Sequence, residues 1–136
     1  MAKYVVTGTY VTLNGSDISP STARAELVIN AAEVDTTDFG SNGWTEIIGG
    51  LKSGSVTLDF HNDFGAGGIS ALLQDKVGTI GTVTINPVGS ATGTANPRYT
   101  AEVMISSFTP VAGAVGDLAT FSVTFPTTGA VTYATA

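Results

Sequence analysis

Gly54-Ser-Val-Thr-Leu-Asp-Phe60 sets the fold class. Val56, Leu58 and Phe60 fall on one side of an extended chain, and Ser55, Thr57 and Asp59 fall on the other. A period of two with one apolar face is the mark of a half-buried strand. Residues 98–106 repeat the pattern, with Tyr99, Ala101, Val103 and Ile105 inward, and so do residues 120–125, with Phe121, Val123 and Phe125 inward. Shorter or noisier strands are predicted at 5–13, 23–31, 79–86 and 131–134. Of the 136 residues, 43 are Thr, Val or Ile, and 17 Gly and 5 Pro punctuate them. Seven or eight short strands in one chain of this length predict a single mainly β domain, a sandwich or barrel.

One segment departs from that period. In Gly68-Ile-Ser-Ala-Leu-Leu-Gln-Asp-Lys76, Ile69, Leu72, Leu73 and Lys76 sit at helical spacing, and Gly78 follows as a stop. The spacing predicts one flanking helix over 68–76, of about two to three turns at ~3.6 residues per turn. Asn62 or Asp63 is positioned to help start it. Two stretches read as loops. Residues 86–97 are small and polar, with two Asn-Pro steps, and read as a plain connection. Residues 36–50 mix glycines with Phe39, Trp44, Ile47 and Ile48 and hold the one Trp of the chain. Long Gly-rich loops in small domains are usually functional.

The composition excludes several function classes. With no Cys there is no disulfide framework, thiolate zinc site or cysteine nucleophile, and one His excludes a multi-histidine metal site within a chain. No apolar run approaches the roughly 18 residues of a membrane span, and the opening residues lack a signal peptide's apolar core. The expectation is a soluble product made in the cytoplasm. Net charge is −6, and the five basic residues Lys3, Arg24, Lys52, Lys76 and Arg98 are scattered. Phosphate binding needs several cations on one face, so nucleic-acid binding is not expected. A surface along which nucleic acid slides without sticking fits this charge.

The chemistry-bearing residues do not converge on a reaction. Glu33, Asp35 and Asp38, with Glu46 nearby, lack the register of a calcium loop and read as a solvated acidic edge. His61 lies beside Asp63, but neither Ser53 nor Ser55 sits in a Gly-x-Ser-x-Gly elbow. Gly65, Gly67 and Gly68 precede the predicted helix without a P-loop's Lys-Ser/Thr or a βαβ frame, so they read as a strand-to-helix turn. No catalytic, cofactor-binding or metal-binding residue is assigned, and the chain is read as a non-enzyme. For the Trp44 loop two readings stand open at this level. It folds back over its own core, or it presents Phe39, Trp44, Ile47 and Ile48 to another subunit.

At this loop a resemblance enters. Residues 34–60, Val-Asp-Thr-Thr-Asp-Phe-Gly-Ser-Asn-Gly-Trp-Thr-Glu-Ile-Ile-Gly-Gly-Leu-Lys-Ser-Gly-Ser-Val-Thr-Leu-Asp-Phe, resemble the major tail tube proteins of long-tailed, siphovirus-like bacteriophages. The matching pattern is an acidic-Thr strand end, then Phe-Gly, Trp-x-Glu, and Gly-Leu-Lys leading into an alternating strand. A following helix, a later Asn-Pro and Arg-Tyr, and a Thr-rich end extend the likeness over most of the chain.

The resemblance implies a β-sandwich or half-barrel with one flanking helix, assembling into hexameric rings that stack into a tube. The inner strands of each ring would join into one barrel, which removes free sheet edges. The loop at 36–50 would then reach a neighbouring subunit or ring, with Phe39, Trp44, Ile47 and Ile48 as anchors. Thr57 and Asp59, or Thr100 and Glu102, are candidate lumen-facing residues. The implied partners are other copies of the chain, a tape-measure protein, a tail terminator and tail-tip proteins. Double-stranded DNA would pass through the lumen without specific binding, and no membrane is involved. The implied location is the virion tail. Two other functions compete with this one: a terminator or head–tail joining protein that forms one ring and stops, and a β-sandwich carbohydrate-binding module. The second lacks a row of aromatics, since Trp44 is alone, Tyr4 precedes the first predicted strand, and Tyr10, Tyr99 and Tyr133 fall on different predicted strands.

Overall fold

Two antiparallel sheets enclose one apolar core in a computed structural model that describes residues 5–66, 68–88 and 97–134. The strands are β1 (Tyr10–Leu13), β2 (Ser16–Asp17), β3 (Thr22–Asp35), β4 (Ile47–His61), β5 (Ile80–Asn86), β6 (Arg98–Met104), β7 (Thr120–Pro126) and β8 (Thr132–Ala134), with helix α1 at Ile69–Leu73. One sheet runs β2-β1-β5-β6-β8 and the other β3-β4-β7. The alternation read from the sequence is what closes them on each other. Val56, Leu58 and Phe60 of β4 and Phe121, Val123 and Phe125 of β7 meet Val83, Ile85, Ala101 and Val103 of β5 and β6 in the buried core. Phe60 packs on Phe121 with ring centroids 5.2 Å apart.

The sheets are joined on one side, which makes the sandwich a half-barrel. After β7 the Thr127 N–H donates to the Gly54 carbonyl at 3.0 Å, and the Thr128 N–H donates to Glu102 at 2.8 Å. The chain thereby changes sheets, turns at Gly129 (φ +119°) and pairs as β8 with β6. Beyond β6, the Ser106 hydroxyl donates to the Thr124 carbonyl at 3.2 Å, so this continuation lies along β7.

Several elements differ from the sequence reading: β1 begins at Tyr10 rather than at 5, and β3 runs on to Asp35 rather than ending at 31. The helix is one turn, Ile69–Leu73, rather than 68–76. Gln74 leaves the helical region at ψ 129°, and Asp75 takes a left-handed φ of 62°. Burial of Ile69 and Leu73 is satisfied by that one turn, and Lys76 lies past its end. The loop is also shorter than 36–50, because residues 47–50 are the start of β4. The 86–97 connection lies outside the described residues over 89–96, as do Lys3, Tyr4 and Gly67.

Close approach fixes one glycine. A Cβ on Gly54 would stand 2.6 Å from the Val28 carbonyl oxygen of the paired strand. Gly54→Ala is expected to force β3 and β4 apart at the point where the core ends, at a cost of about 1–3 kcal/mol. Urea denaturation of the variant against the wild type measures this.

Candidate functional site

β3 and β4 are 14 and 15 residues long, about twice the length of β7 beside them. Only part of this hairpin covers the core. Residues 22–29 of β3 pair with 54–60 of β4 over the buried apolar set, whereas 30–35 and 47–53 are exposed except for half-buried Gly50. An isolated two-stranded ribbon is marginal in water. This one nonetheless carries exposed Val34, Ile47, Ile48 and Leu51, with exposed Ile29 at its base. It projects as an arm without a core of its own.

The polar groups near the arm's tip are spent on closing it. Thr36 N–H donates to the Glu46 carbonyl at 2.9 Å, and Glu46 N–H donates to the Thr37 hydroxyl at 2.8 Å. Asp38 and Ser41 cap a 3-10 turn at Phe39–Ser41, with the Asp38 N–H donating to Ser41 Oγ at 3.2 Å and Ser41 Oγ to Asp38 Oδ1 at 3.3 Å. Asn42 (φ 54°) and Gly43 (φ +84°) then reverse the chain in left-handed conformations. Ser41 is buried inside the turn, while Phe39 is fully exposed and Trp44 is 78% exposed. The tip is therefore a closed cap with its two aromatics outside it. The structure does not fold the loop back over the core.

The Thr37 backbone N–H, 2.8 Å from Asp35 Oδ1, and the Thr37 side chain hold the Asp35 carboxyl below its ordinary range. A lowered folded value means that the turn's extra stability is present above the ordinary carboxylate range. It is lost as pH falls through the lowered value. Hydrogen exchange at the Thr37 amide is expected to speed up, relative to the intrinsic rate, on acidification through that window. Asp35→Asn should flatten that dependence.

The four anchor residues do not form one patch. Val34 pairs with Ile48 and Asp35 with Ile47, so the two isoleucines face opposite sides of the ribbon by the period of two. Between Ala31 and Glu33 the register shifts, and β4 carries an extra residue at 50–51. Leu51, 88% exposed at this bulge, is an arm residue that the sequence reading missed. It lies just past the loop bounds of 36–50, at a bulge that interrupts the alternation.

A second apolar surface was missed altogether. The connection 105–119 between β6 and β7 carries exposed Val111, Val115 and Leu118, and exposed Phe64 follows the far end of β4. Asn62, just past β4, ties the two together. Its N–H donates to Ala119 at 2.9 Å and its side-chain amide to the Pro110 carbonyl at 2.9 Å. The tip end of the arm on β4 is Ile47, and this surface gathers past His61, roughly 45 Å away along an extended strand. The run from 110 to 118 has no strand or helix period, which is why it gave no signal.

The candidate lumen residues split between two faces. Thr57 and Asp59 lie on the outer face of the three-stranded sheet, opposite Glu26 and Arg24 of β3 and Thr124 and Ser122 of β7. Arg24 and Glu26 form an ion pair there, and the Thr57 and Thr124 hydroxyls are 3.2 Å apart. Thr100 and Glu102 lie on the outer face of the other sheet. There Thr12, Thr84, Thr100 and Thr132 make one row across four strands. Since the two faces point away from each other, only one can line a given channel.

The other constellations stay apart. Asp35 and Asp38 are turn residues, and no group of three His, Cys, Asp or Glu among the described residues is placed to hold a metal. His61 and Ser55 are six residues apart along β4, roughly 20 Å. At the strand-to-helix turn, Asp63 Oδ1 accepts from the Gly65 N–H at 2.8 Å, so that N–H is spent within the chain.

No known protein family model and no curated protein matches the chain. Solved structures do. A chain in the virion of a native gene transfer agent particle superimposes with a TM-score of 0.71 at 18% identity, covering 93% of this chain and 95% of that one. A chain in the tail of an empty gene transfer agent particle, with C6 symmetry, gives 0.70 at 19% identity over 93% of each. The chain has the fold of chains found in the virion and the sixfold-symmetric tail of these particles.

Proposed function

We propose that this protein is a structural subunit of a phage or phage-like tail, assembling into hexameric rings that stack into the tube through which double-stranded DNA leaves. The observation that carries the proposal is the arm, a hairpin half of whose length has no core of its own. A second copy supplies the missing cover. The fold shared with a C6-symmetric tail supports six copies per ring. The protein then belongs to the virion, with a tape-measure protein inside the tube and terminator and tip proteins at its ends.

The apolar arm and the apolar surface around Phe64, Val111, Val115 and Leu118 lie at opposite ends of β4. Placed at opposite ends, the two surfaces let one copy dock head to tail on the next, and a heterologous contact whose rotation does not close grows into an open stack. We read the assembly as that open stack, a tube rather than a single terminator ring. The arm of one copy accordingly docks on the β4 C-terminal end of a copy in the next ring. Ring closure uses the free edge of β3, so the three-stranded sheet forms the channel wall, with Thr57 and Asp59 toward the lumen and Thr100 and Glu102 outside. Hydroxyls with a small acidic excess let DNA slide rather than bind.

The absence of cysteine makes a direct test available. Thr45→Cys and Ala112→Cys, in separate chains that are mixed and assembled under mild oxidation, should give a disulfide-linked dimer containing one chain of each kind. Only same-variant dimers, or none, would overturn the head-to-tail contact.

A further inference from the structure

We infer that Asn42 is a site of spontaneous backbone rearrangement, an ageing position at the tip of the arm. The sequence has two Asn-Gly steps, Asn14-Gly15 and Asn42-Gly43. In both the backbone is the same tight reversal, with Asn at φ 52° and 54° and Gly at +84°. Glycine has no Cβ to shield its own nitrogen, so in each pair the Gly N–H is the most accessible nucleophile toward the preceding carboxamide. In the reaction the Gly43 nitrogen loses its proton to base and attacks Asn42 Cγ. A C–N bond forms, and the side-chain nitrogen leaves as ammonia. Water then opens the five-membered imide at either carbonyl, leaving aspartate or isoaspartate. The net change is water in and ammonia out, and no cofactor takes part.

What separates the two sites is restraint. Asn14 Oδ1 accepts from the Thr82 N–H at 2.9 Å, and the Asn14 N–H donates to the Thr82 carbonyl at 2.8 Å. That turn joins β1 to β2 beside buried Val11, Leu13 and Ile18. Its carboxamide is tied to a neighbouring strand, and although Asn14 is itself exposed the turn is held by the Thr82 bonds beside buried core residues. Asn42 stands on the arm, exposed, between a one-turn 3-10 helix and Trp44, whose N–H to Ser41 (3.1 Å) is the turn's closing bond. The reversed conformation must open before Gly43 nitrogen meets Cγ, and opening is far easier where few buried contacts hold a segment. The product adds a carboxylate to a tip that already has Asp38 and Glu46. The isoaspartyl form also adds a backbone atom inside the turn that presents Trp44. The inference does not depend on assembly.

The test is timed incubation of the intact, unassembled protein in mildly alkaline buffer, with peptide mapping by mass spectrometry. A parallel sample is kept in denaturant. The folded protein should convert Asn42 at least about tenfold faster than Asn14, as expected if local opening sets the rate. The denatured sample should convert both at comparable rates. Equal rates in the folded protein, faster loss at Asn14, or no conversion at Asn42 while the denatured chain converts, would each overturn the inference.

Discussion

Trp44→Ala is expected to leave the subunit as stable as the wild type and to abolish its assembly at working concentrations. The indole is 78% exposed, and no core residue packs on it. The hydrogen bond that the residue makes is through its backbone N–H, to the Ser41 carbonyl, which alanine keeps. The unfolding midpoint should therefore correspond to a change within about 0.5 kcal/mol. At a docked interface, loss of a central tryptophan costs about 2 kcal/mol or more. That raises the concentration needed for the contact by about thirtyfold. The contact repeats along a stack, so growth fails even where single contacts survive. Thermal unfolding and light scattering on the same samples separate the two effects. A variant that melts early as a monomer would mean that Trp44 belongs to the subunit's own packing.

Phe60→Ala is expected to have the reverse effect. Phe60 is buried on the central strand of the three-stranded sheet, 5.2 Å from the Phe121 ring, which in turn meets Phe108 at 5.5 Å. Truncating a buried Phe costs about 3–5 kcal/mol, the lost burial plus the cavity left behind. Against a total stability of about 5–15 kcal/mol for a domain, that removes much of the folded population. Denaturant unfolding should show a lower midpoint, and assembly should fail because folded subunits are scarce. Unassembled Trp44→Ala and Phe60→Ala subunits thus differ before any ring forms. Equal stability of Phe60→Ala and wild type would contradict the core assignment.

The alternating strands were legible because a half-buried strand writes its environment at every second residue. Val56, Leu58, Phe60, Phe121, Val123 and Phe125 are all buried where the alternation put them. The arm was legible only as an oddity. Glu33, Val34, Asp35, Ile47 and Ile48 are exposed on both faces of a ribbon, so no inside and outside exists to impose a period. That is why part of β4 read as loop. The helix was overextended because Lys76 continued the spacing, whereas Gln74 leaves the helical region and Asp75 at φ 62° follows it, and a left-handed Asp carries no strong sequence mark. The surface at 105–119 was invisible for a similar reason. Its shape comes from Asn62 holding Pro110 and Ala119, contacts between residues nearly fifty or more apart in the chain. The choice between the two candidate lumen faces could not be made from sequence, since both are rich in Thr and only the register shows that they point apart.

The central claim is that the chain grows head to tail without limit. Negative-stain electron microscopy of the purified protein over a concentration series, with sedimentation velocity alongside, tests it most directly. The account predicts stacked rings lengthening into tubes with a central channel as concentration rises. Discrete single rings that stay single, with the arm intact, would contradict it.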